Sequence, residues 1–405
     1  MRIAFAVDGT RGDVYPLLAL ASSLCASGHS TIVCGPADAR SAVEARGIEF
    51  AACGVDVREF MTTHADHVGR GAWRELRAGE RYMRQSLEVQ RESLLPALED
   101  ADFVFGAGVQ LTAGTAAEAL GIPYRYIAYC PALLRSREHA PFILASQRLP
   151  GWANALGWRA LLTLTRVLWR PVINRWRREL GLPPIADAYS YFLSARTILA
   201  ADRAIAPLPM DAPPGVEQIA CLHPFEPAPL PEKLEAFLDS GPAPVYFGFG
   251  SMPDARPAKT TRQLLAAIEQ LGCRALISRG WAGLGDAALP SDVFIVDDVP
   301  HASLFPRAAA IVHHGGAGTT TTAARAGVPQ LVIPHAVDQY YWSHRVEQLG
   351  IAARGLSRHR LDTATLVERL GSILENEVVA ERARAIGQRL HEDLARQPSA
   401  ESLIA

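Results

Sequence analysis

A glycine-rich turn late in the chain has the composition of a phosphate-binding site. Residues 309–329 read A-A-I-V-H-H-G-G-A-G-T-T-T-T-A-A-R-A-G-V-P, an apolar strand that runs through glycines into a Thr/Ala-rich helix. Glycine lets backbone N–H groups approach an anion closely, and a helix N-terminus carries about half a positive charge. The histidines that end the strand, His313 and His314, can donate to a phosphate oxygen. The turn predicts a diphosphate site, and the alternative is a tight turn that needs glycine only for packing.

A polar pair follows one β-α unit later. Asp338 and Gln339 come shortly after the next predicted strand, Gln330 to Ile333. A carboxylate accepts hydrogen bonds while a carboxamide both donates and accepts, so the pair can hold vicinal sugar hydroxyls. Alone, such a pair is usually part of a solvated loop. Its place just after the phosphate turn favours a role in binding the sugar of a nucleotide sugar.

Strands and helices alternate along the segments that must position these residues. Residues 3–7 form a short apolar run, residues 8–12 a turn, and residues 14–27 show helical spacing. The alternation of strands and helices begins again with an apolar strand at 245–251. Alternating strands and helices predict parallel sheets, here in two Rossmann-like domains. Ligands are then expected in the cleft between them, at the carboxyl ends of the strands.

The predicted domain boundaries follow from this alternation of strands and helices and from a segment rich in proline. Prolines between Pro207 and Pro244 are expected to interrupt any regular element. We therefore divide the chain into an acceptor-binding domain (1–210), a Pro-rich linker (211–243), a nucleotide-sugar-binding domain (244–385) and a C-terminal helix (386–405). A return of that last helix to the first domain is left open.

Composition excludes several classes of protein. A chain of 405 residues suits two domains. Lys+Arg 40 against Asp+Glu 42 gives a net charge of -2, so the chain lacks the basic surplus of a nucleic-acid-binding protein. Its 6 cysteines lack metal-ligand or disulfide spacing and are interpreted as buried thiols in a reducing compartment. With an N-terminal apolar run too short for a signal peptide, the sequence predicts a cytoplasmic protein.

The segment from Trp152 to Leu180 is apolar but rich in arginine. These charges, and Pro171 within the segment, make a transmembrane span implausible. We interpret it as an amphipathic helical pair that covers the acceptor side of the first domain. Peripheral membrane contact is the less favoured alternative. A charged amphipathic helix is predicted over 378–394.

Residues 294–350 resemble the C-terminal signature of family 1 glycosyltransferases of GT-B fold, especially sterol glucosyltransferase-like and bacterial natural-product enzymes. The elements V-P-H, H-H-G-G-A-G-T-T, R-A-G-V-P and D-Q of that signature stand at 299–301, 313–320, 325–329 and 338–339. The run G-T-R-G-D-V at 9–14 extends the resemblance to the first domain. The pattern is far more specific than a lone G-x-G-x-x-G. It implies an α/β GT-B fold, in which two Rossmann-like domains face each other across a cleft.

The resemblance also implies which residues bind the donor. They are Thr10, Arg11, Gly12, Ser251, Arg279, Trp281, Val299, His313, Gly315, Gly316, Ala317, Gly318, Thr319, Asp338 and Gln339. Among them, His313 contacts the diphosphate, the helix start supplies backbone donors, and Val299 contacts the base through its main chain. Some relatives carry a base-stacking Trp and a ribose-binding Glu where this chain has Asp298 and Thr321. The choice between UDP and dTDP therefore stays open.

Asp13 is the predicted general base. An acceptor alcohol is a poor nucleophile, so a side chain must take its proton as it attacks the anomeric carbon. Asp13 follows the turn after the first strand, where related enzymes carry either His or Asp in this role. Desolvation beside an apolar acceptor should raise the pKa of its carboxyl. The alternative is an N-cap for the helix that begins near Val14, and one residue can serve both purposes.

The expected reaction is a single in-line displacement that inverts the anomeric centre. The helix N-terminus and His313 would stabilise the departing nucleoside diphosphate, so neither a metal nor another cofactor is expected. Two runs resemble metal ligands, Asp100-Ala101-Asp102 and His64-Ala65-Asp66-His67. The first is expected at a helix-to-strand junction on the wrong side of the cleft for the donor, and neither is predicted to bind a metal.

Two other functions compete with a transferase. A sugar-nucleotide epimerase would bind the same donor without an acceptor, but the apolar stretch from Trp152 to Trp176 favours an acceptor pocket. A non-catalytic sugar-nucleotide-binding partner would not need an intact Asp13. Residues 58–90 and 126–191 are expected to line the pocket for a polyketide, macrolide, sterol or aromatic aglycone. The sequence leaves open the acceptor, the hexose and the oligomeric state.

Overall fold

The chain folds into two α/β units built on parallel sheets. The computed structural model describes residues 1–63, 72–222, 227–285 and 289–404, without the side chains of 72–78. The first sheet contains β1 (Arg2–Asp8), β2 (Ser30–Gly35), β3 (Glu49–Ala52), β4 (Phe103–Gly108), β5 (Tyr124–Ala128), β6 (Ile198–Ala200) and β7 (Glu217–Ile219). The second contains β8 (Val245–Gly248), β9 (Ala275–Ser278), β10 (Val293–Val296), β11 (Ala310–His313) and β12 (Gln330–Val332).

Helices connect these strands. In the first unit they are α1 (Arg11–Ala26), α2 (Arg40–Glu44), α3 (Val57–Thr63), α4 (Ala72–Leu98), α5 (Ala113–Leu120), α6 (Gly151–Leu168), α7 (Arg170–Glu179) and α8 (Ala188–Leu193). The second unit contains α9 (Glu232–Asp239), α10 (Pro257–Leu271), α11 (His301–Leu304), α12 (Ala317–Arg325), α13 (Gln339–Gln348), α14 (Thr363–Leu374) and α15 (Glu377–Ala395). This architecture confirms the predicted α/β class.

Strand order places two candidate binding positions at the carboxyl ends of the sheets. The first sheet has the order β3-β2-β1-β4-β5-β6-β7 and the second the order β10-β9-β8-β11-β12. In each, the chain moves outward from its first strand and then returns to that strand's other side. The carboxyl ends of β1 and β4, and of β8 and β11, are thus topological switch points, where open α/β sheets bind ligands.

Strand β1 is buried on both faces. Its residues Ile3 and Phe5 join an apolar cluster with Leu17 of α1, while Ala4 joins a separate cluster with Ala116 of α5. A parallel strand covered by helices on both sides needs an almost continuous apolar sequence. The run from Ile3 to Val7 meets that need, which is why this strand could be predicted.

Helix α1 begins earlier than predicted, at Arg11 rather than near Val14. Thr10 is the N-cap, and its hydroxyl accepts a hydrogen bond from Gly12 N at 3.3 Å. In return, Asp13 Oδ2 accepts from Thr10 N at 2.8 Å, which completes a capping box. The hypothesis that Asp13 is the N-cap is therefore wrong, because it is the third helical residue of that box.

Two regular elements lie in the region where prolines were expected to prevent them. Strand β7 pairs with β6 at the edge of the first sheet, and α9 packs its buried Leu234 and Leu238 on the second unit. The prolines stand beside these elements: Pro214 precedes β7, and Pro231 is the N-cap of α9. Proline is tolerated at a helix start because the first N–H groups lack intrahelical acceptors.

The arginine-rich segment forms the expected pair of helices, α6 and α7. Pro171 lies in the first turn of α7, where proline is compatible with a helix. Trp158 and Trp176 are buried, whereas Trp152 is 70% exposed. Among the helices in the described ranges, none is long and apolar enough to cross a bilayer.

The interpretation of all six cysteines as buried thiols is wrong for two of them. Cys25 is exposed and Cys273 is half-buried, whereas the other four are buried, and all six are free thiols. Cys25 lies near the end of α1, and its Sγ lies 2.9 Å from Thr31 Oγ1 of β2 although the residue as a whole is exposed. A helix presents only one stripe to the core, so a small apolar residue can fall outside it.

The two units share an apolar interface at one end of the cleft. Trp158 and Tyr189 of the first unit and Trp342 of the second belong to one buried cluster. Beside it, Arg325 Nη2 and Asp202 Oδ1 form a buried ion pair of 2.9 Å between the units. These contacts join the two units on one side.

The last described residues cross from the second unit to the first. Helix α15 packs on α12 of the second unit. The following 3₁₀ turn, Ala400–Leu403, packs on α1, and Leu403 is buried in the first unit's core. Arg125 Nη1 donates to Leu403 O at 3.1 Å. The end of the described chain therefore belongs structurally to the first unit.

Candidate active site

Asp13 lies at the first switch point with one carboxylate oxygen available. It is half-buried, and Tyr129 Oη fixes its backbone by donating to Asp13 O at 3.0 Å. Within the described part of the chain, only Oδ2 of the carboxylate is hydrogen-bonded, to Thr10. The helix cap thus orients the group while Oδ1 stays able to accept a proton.

The surroundings of Asp13 tune its acidity to the neutral range. Burial raises the pKa of its carboxyl to about 7, against the lowering effect of the Thr10 N–H bond. The negative charges of Asp338 and Asp8 raise the pKa further. Asp338 belongs to the second unit, so the two units face each other at this carboxylate. A base with a pKa near the working pH is well suited to proton transfer.

The predicted phosphate turn lies at the second switch point and opens α12. Gly315 has a φ of +92°, and a Cβ there would lie 2.7 Å from Val332 Cγ1, so the close approach of the loop requires glycine. Gly316 is the N-cap. The first N–H groups of α12, from Ala317 to Thr319, lack intrahelical acceptors and share the positive end of the helix dipole. The turn offers an anion several backbone donors.

His313 has an internal role in this arrangement. Its ring is fully buried, and Gly315 N donates to His313 Nδ1 at 3.1 Å. The proton must then reside on Nε2, which donates to Gln330 Oε1 at 2.8 Å. Burial lowers the pKa of the ring to about 4, so the imidazole is neutral. The ring fixes the shape of the turn, and a direct contact with phosphate, which stays a prediction, would require it to give up one of these bonds.

Three predicted residues meet where the first loop of the second unit approaches α1. Trp281 N donates to Gly250 O at 3.0 Å, which places Trp281 beside Ser251. Arg11 crosses from the first unit: its Nε lies 3.4 Å from Ser251 Oγ, and its guanidinium carbon lies 5.8 Å from the centroid of the Trp281 ring. Arg11 therefore contacts the second unit, while the role of Thr10, Arg11 and Gly12 in binding a donor stays a prediction.

Asp338 and Gln339 open α13. Gln339 is buried, and its Oε1 accepts from His335 N at 2.7 Å and from Ala336 N at 3.1 Å. Trp342 Nε1 donates to the Asp338 carboxylate at 3.3 Å, and burial raises the pKa of that carboxyl to about 6. Gln339 thus shapes the loop while Asp338 faces Asp13 across the cleft. Their contacts with a sugar stay a prediction.

The other residues predicted to bind the donor or a metal lie farther apart than those described above. Val299 is half-buried in the loop between β10 and α11, and Arg279 Nε lies 3.2 Å from Asp297 Oδ1. Asp102 lies at the amino end of β4, away from the cleft, and its carboxylate accepts from Arg2 N at 2.7 Å. The run from His64 to His67 lies outside the described residues. In the ranges that are described, no three His, Cys, Asp or Glu side chains cluster as metal ligands.

One polar group beside the site was missed by the sequence analysis. Asp8, at the end of β1, is fully buried and accepts hydrogen bonds from Tyr82, Ser86 and Gln90 of α4. The signal was available in the spacing of these three residues, because side chains four apart share one face of a helix. A charged residue at the end of an otherwise apolar strand was the second signal.

A cavity in the first unit lies apart from these residues. Its volume is about 720 Å³, and it is lined by segments that lead into β5, β6 and β7, including Tyr124, Thr197 and Val216. These are the amino ends of the strands, whereas Asp13 follows a carboxyl end. Tyr191 and Leu134 of the predicted acceptor segments also line it, but no predicted donor-site residue does.

Comparisons of sequence identify relatives along most of the chain. The glycosyltransferase family 28 N-terminal domain matches residues 3–127. The erythromycin biosynthesis protein CIII-like C-terminal domain matches residues 264–405. The vancomycin aglycone glucosyltransferase of Amycolatopsis orientalis is 34% identical, over 87% of this chain and 85% of its own. A sterol 3-beta-glucosyltransferase of Arabidopsis thaliana is 32% identical, over 93% of this chain and 64% of its own.

Solved structures share the fold. The glycotransferase of kitacinnamycin has a TM-score of 0.72 at 18% identity, and the match covers 99% of this chain and 98% of that one. The glycosyltransferase VinC in complex with dTDP has a TM-score of 0.69 at 21% identity, covering 100% and 98%. At such identities the likeness concerns the fold alone, and it agrees with two sheets facing each other across a cleft.

Proposed function

This chain belongs to the family 1 glycosyltransferases of GT-B fold, and on that premise we propose that it transfers a hexose from UDP- or dTDP-sugar to a hydroxyl of a small apolar acceptor. The relatives named above are glucosyltransferases of vancomycin aglycone and of a sterol. A polyketide, macrolide, sterol or aromatic aglycone is the acceptor class we propose. Transfer would proceed with inversion and without a metal.

The observation that carries this proposal is the position of Asp13. Asp13 lies in the first turn of α1, which follows the carboxyl end of β1, burial raises its pKa to about 7, and it faces Asp338 of the second unit. We propose that Oδ1 takes the proton of the acceptor hydroxyl as the oxygen forms its bond to the anomeric carbon. The bond from that carbon to the diphosphate breaks on the opposite side, which inverts the centre.

The phosphate turn is the proposed acceptor of the charge that develops on the leaving group. The free N–H groups at the start of α12 and the helix dipole stabilise a departing diphosphate without a cation. His313 and Gln330 hold the turn in shape before the donor arrives. Donors that are already oriented need no reorganisation during the reaction, so they favour the charged transition state.

The experiment that tests this function combines α-linked UDP-glucose and dTDP-sugars with a panel of aglycones in excess EDTA. We expect a glycosylated aglycone whose anomeric proton coupling in the NMR spectrum identifies a β-linkage. A retained α-linkage would contradict the single displacement, and activity lost in EDTA but restored by Mg²⁺ would contradict metal independence. Conversion of the donor to another sugar nucleotide without an acceptor would indicate an epimerase instead.

The pH dependence of the reaction is expected to report on Asp13. Only the ionised carboxylate can accept a proton, so kcat/KM should be constant at high pH and fall as pH drops below about 7, the value to which burial raises its pKa. The measurement is a profile of kcat/KM from pH 5 to 9 at saturating donor. A profile flat down to about pH 5 would contradict a base with a raised pKa.

A further inference from the structure

Asp8 is the last residue of β1, and it is completely buried. It accepts three hydrogen bonds from α4: Tyr82 Oη donates to Oδ1, and Ser86 Oγ and Gln90 Nε2 both donate to Oδ2, the latter at 2.7 Å. A buried carboxylate with three donors is satisfied in its ionised form. Neutral asparagine would supply a single acceptor oxygen for the same three groups.

The hydrogen bonds continue from α4 to the loop after β4. Thr112 Oγ1 lies 2.9 Å from Gln90 Oε1 and 2.6 Å from Gln110 Oε1 and can donate its one proton to either, so the network spans the carboxyl ends of β1 and β4. On the same helix, Tyr82 and Leu87 join the apolar cluster that contains Trp158 of α6. The network therefore ties the inner face of α4 to the floor of the cleft.

Asp8 and Asp13 are close neighbours. A Cβ placed on Gly108, the register partner of Asp8, would lie 2.0 Å from Asp8 O and 3.3 Å from Asp13 Cβ. A Cβ placed on Gly9, between the two, would lie 2.2 Å from Asp13 Oδ2. The backbone of Asp8 and the side chain of Asp13 thus lie against the same glycines, and the Asp8 carboxylate is near enough for its charge to act on Asp13.

Several groups besides Asp8 influence Asp13. Asp338 faces it from the start of α13, and Tyr82, Tyr126 and Tyr129 face it from α4, β5 and the end of β5. The three tyrosines are neutral, because burial raises the pKa of each phenol above its usual value. The negative charges that raise the pKa of Asp13 are therefore those of the Asp8 and Asp338 carboxylates, one from each unit.

We propose that Asp8 is a positioning residue for the transfer: it fastens α4 to the floor of the cleft and, as a second negative charge, strengthens the neighbouring base Asp13. The proposal rests on Asp13 being that base. Burial raises the pKa of Asp8 to about 6, while the three hydrogen-bond donors act against the increase by favouring its ionised form. Its charge favours the protonated form of Asp13 and so makes the ionised form a stronger acceptor of protons.

The test compares pH profiles of kcat/KM for wild type, Asp8→Asn, Ser86→Ala and Thr112→Val. In Asp8→Asn, which lacks the charge at position 8, the acidic limb, where kcat/KM falls with decreasing pH, is expected to move to lower pH by at least about half a unit. The constant value of kcat/KM at high pH is expected to fall, because the base is weaker. Ser86→Ala removes one donor, which raises the pKa of Asp8 and should move the limb in the same direction by less. Thr112→Val alters the far end of the network and should leave the limb in place.

The KM values for acceptor and donor test whether Asp8 holds α4 in place at the floor of the cleft. In Asp8→Asn the KM for the acceptor is expected to rise, while the KM for the donor stays within about twofold of wild type. Circular dichroism establishes whether each variant is folded. If Asp8→Asn does not fold, the shift of the pH profile in Ser86→Ala tests the proposal instead. Equal acidic limbs in wild type and in the folded variants at positions 8 and 86 would overturn the proposal.

The profile of Asp13→Asn separates this proposal from the function on which it rests. If the acidic limb persists in that variant, the assignment of the base fails. If the limb depends on Asp13 but does not move in Asp8→Asn, the function stands and only the role of Asp8 fails.

Discussion

Replacing Asp13 with asparagine is expected to lower kcat/KM at least about 100-fold, because a positioned general base contributes about 10²–10⁴-fold. Asparagine keeps an oxygen that can accept from Thr10 N, so the cap of α1 can persist. What it lacks is a group that takes a proton at neutral pH. The dissociation constant for the nucleoside diphosphate, measured by calorimetry, should therefore change little.

Asp102→Asn is the matched control for this experiment. Asp102 also accepts a backbone hydrogen bond, from Arg2 N at 2.7 Å, but at the amino edge of the same sheet. It should retain nearly full activity. An Asp13→Asn enzyme as active as this control would remove Asp13 from the reaction.

Replacing Arg325 with methionine is expected to destabilise the protein by roughly 3–5 kcal/mol, since it leaves one member of a buried ion pair without its partner. Arg325 is 7% exposed and Asp202 1%, and they join the two units. Burial raises the pKa of Asp202 while the arginine lowers it, so loss of the arginine makes the carboxylate more costly to keep ionised. The measurement is the midpoint and slope of urea unfolding at neutral pH.

Two further variants make the interpretation of this loss specific. The double variant Asp202→Asn/Arg325→Met removes both charges and should recover much of the lost stability. Arg307→Met, which breaks pairs with Glu235 and Asp239 at the surface, should cost at most about 1 kcal/mol. If Arg325→Met is no more destabilising than Arg307→Met, the interdomain pair contributes little to stability.

The parts of the fold that could be predicted are those encoded by neighbours in sequence. The strand and turn that precede α12 form one contiguous run, in which the apolar residues, the glycines and the helix formers follow each other directly. The position of Asp13 after β1 is likewise local. Such features need no knowledge of tertiary contacts, because period, turn residues and caps act over a few positions.

The functions of side chains were harder to predict, because they depend on partners distant in sequence. His313 could be predicted to lie at the turn, but its engagement with Gln330 across the sheet could not. Arg11 meets Ser251 at a sequence separation of 240. The elements β7 and α9 form despite nearby prolines because a sheet edge and an apolar surface are available to them. Tertiary context outweighs local preference in such cases.

The return of Ala400–Leu403 to the first unit affects how this enzyme can be recombined with its relatives. A chimera that exchanged the whole C-terminal half at one crossover near residue 230 would bring a foreign tail against α1 and Arg125. Leu403 would then have to fit a core it did not evolve with. Exchange of the second unit should therefore use two crossovers, the second after α15, so that each tail stays with its own first unit.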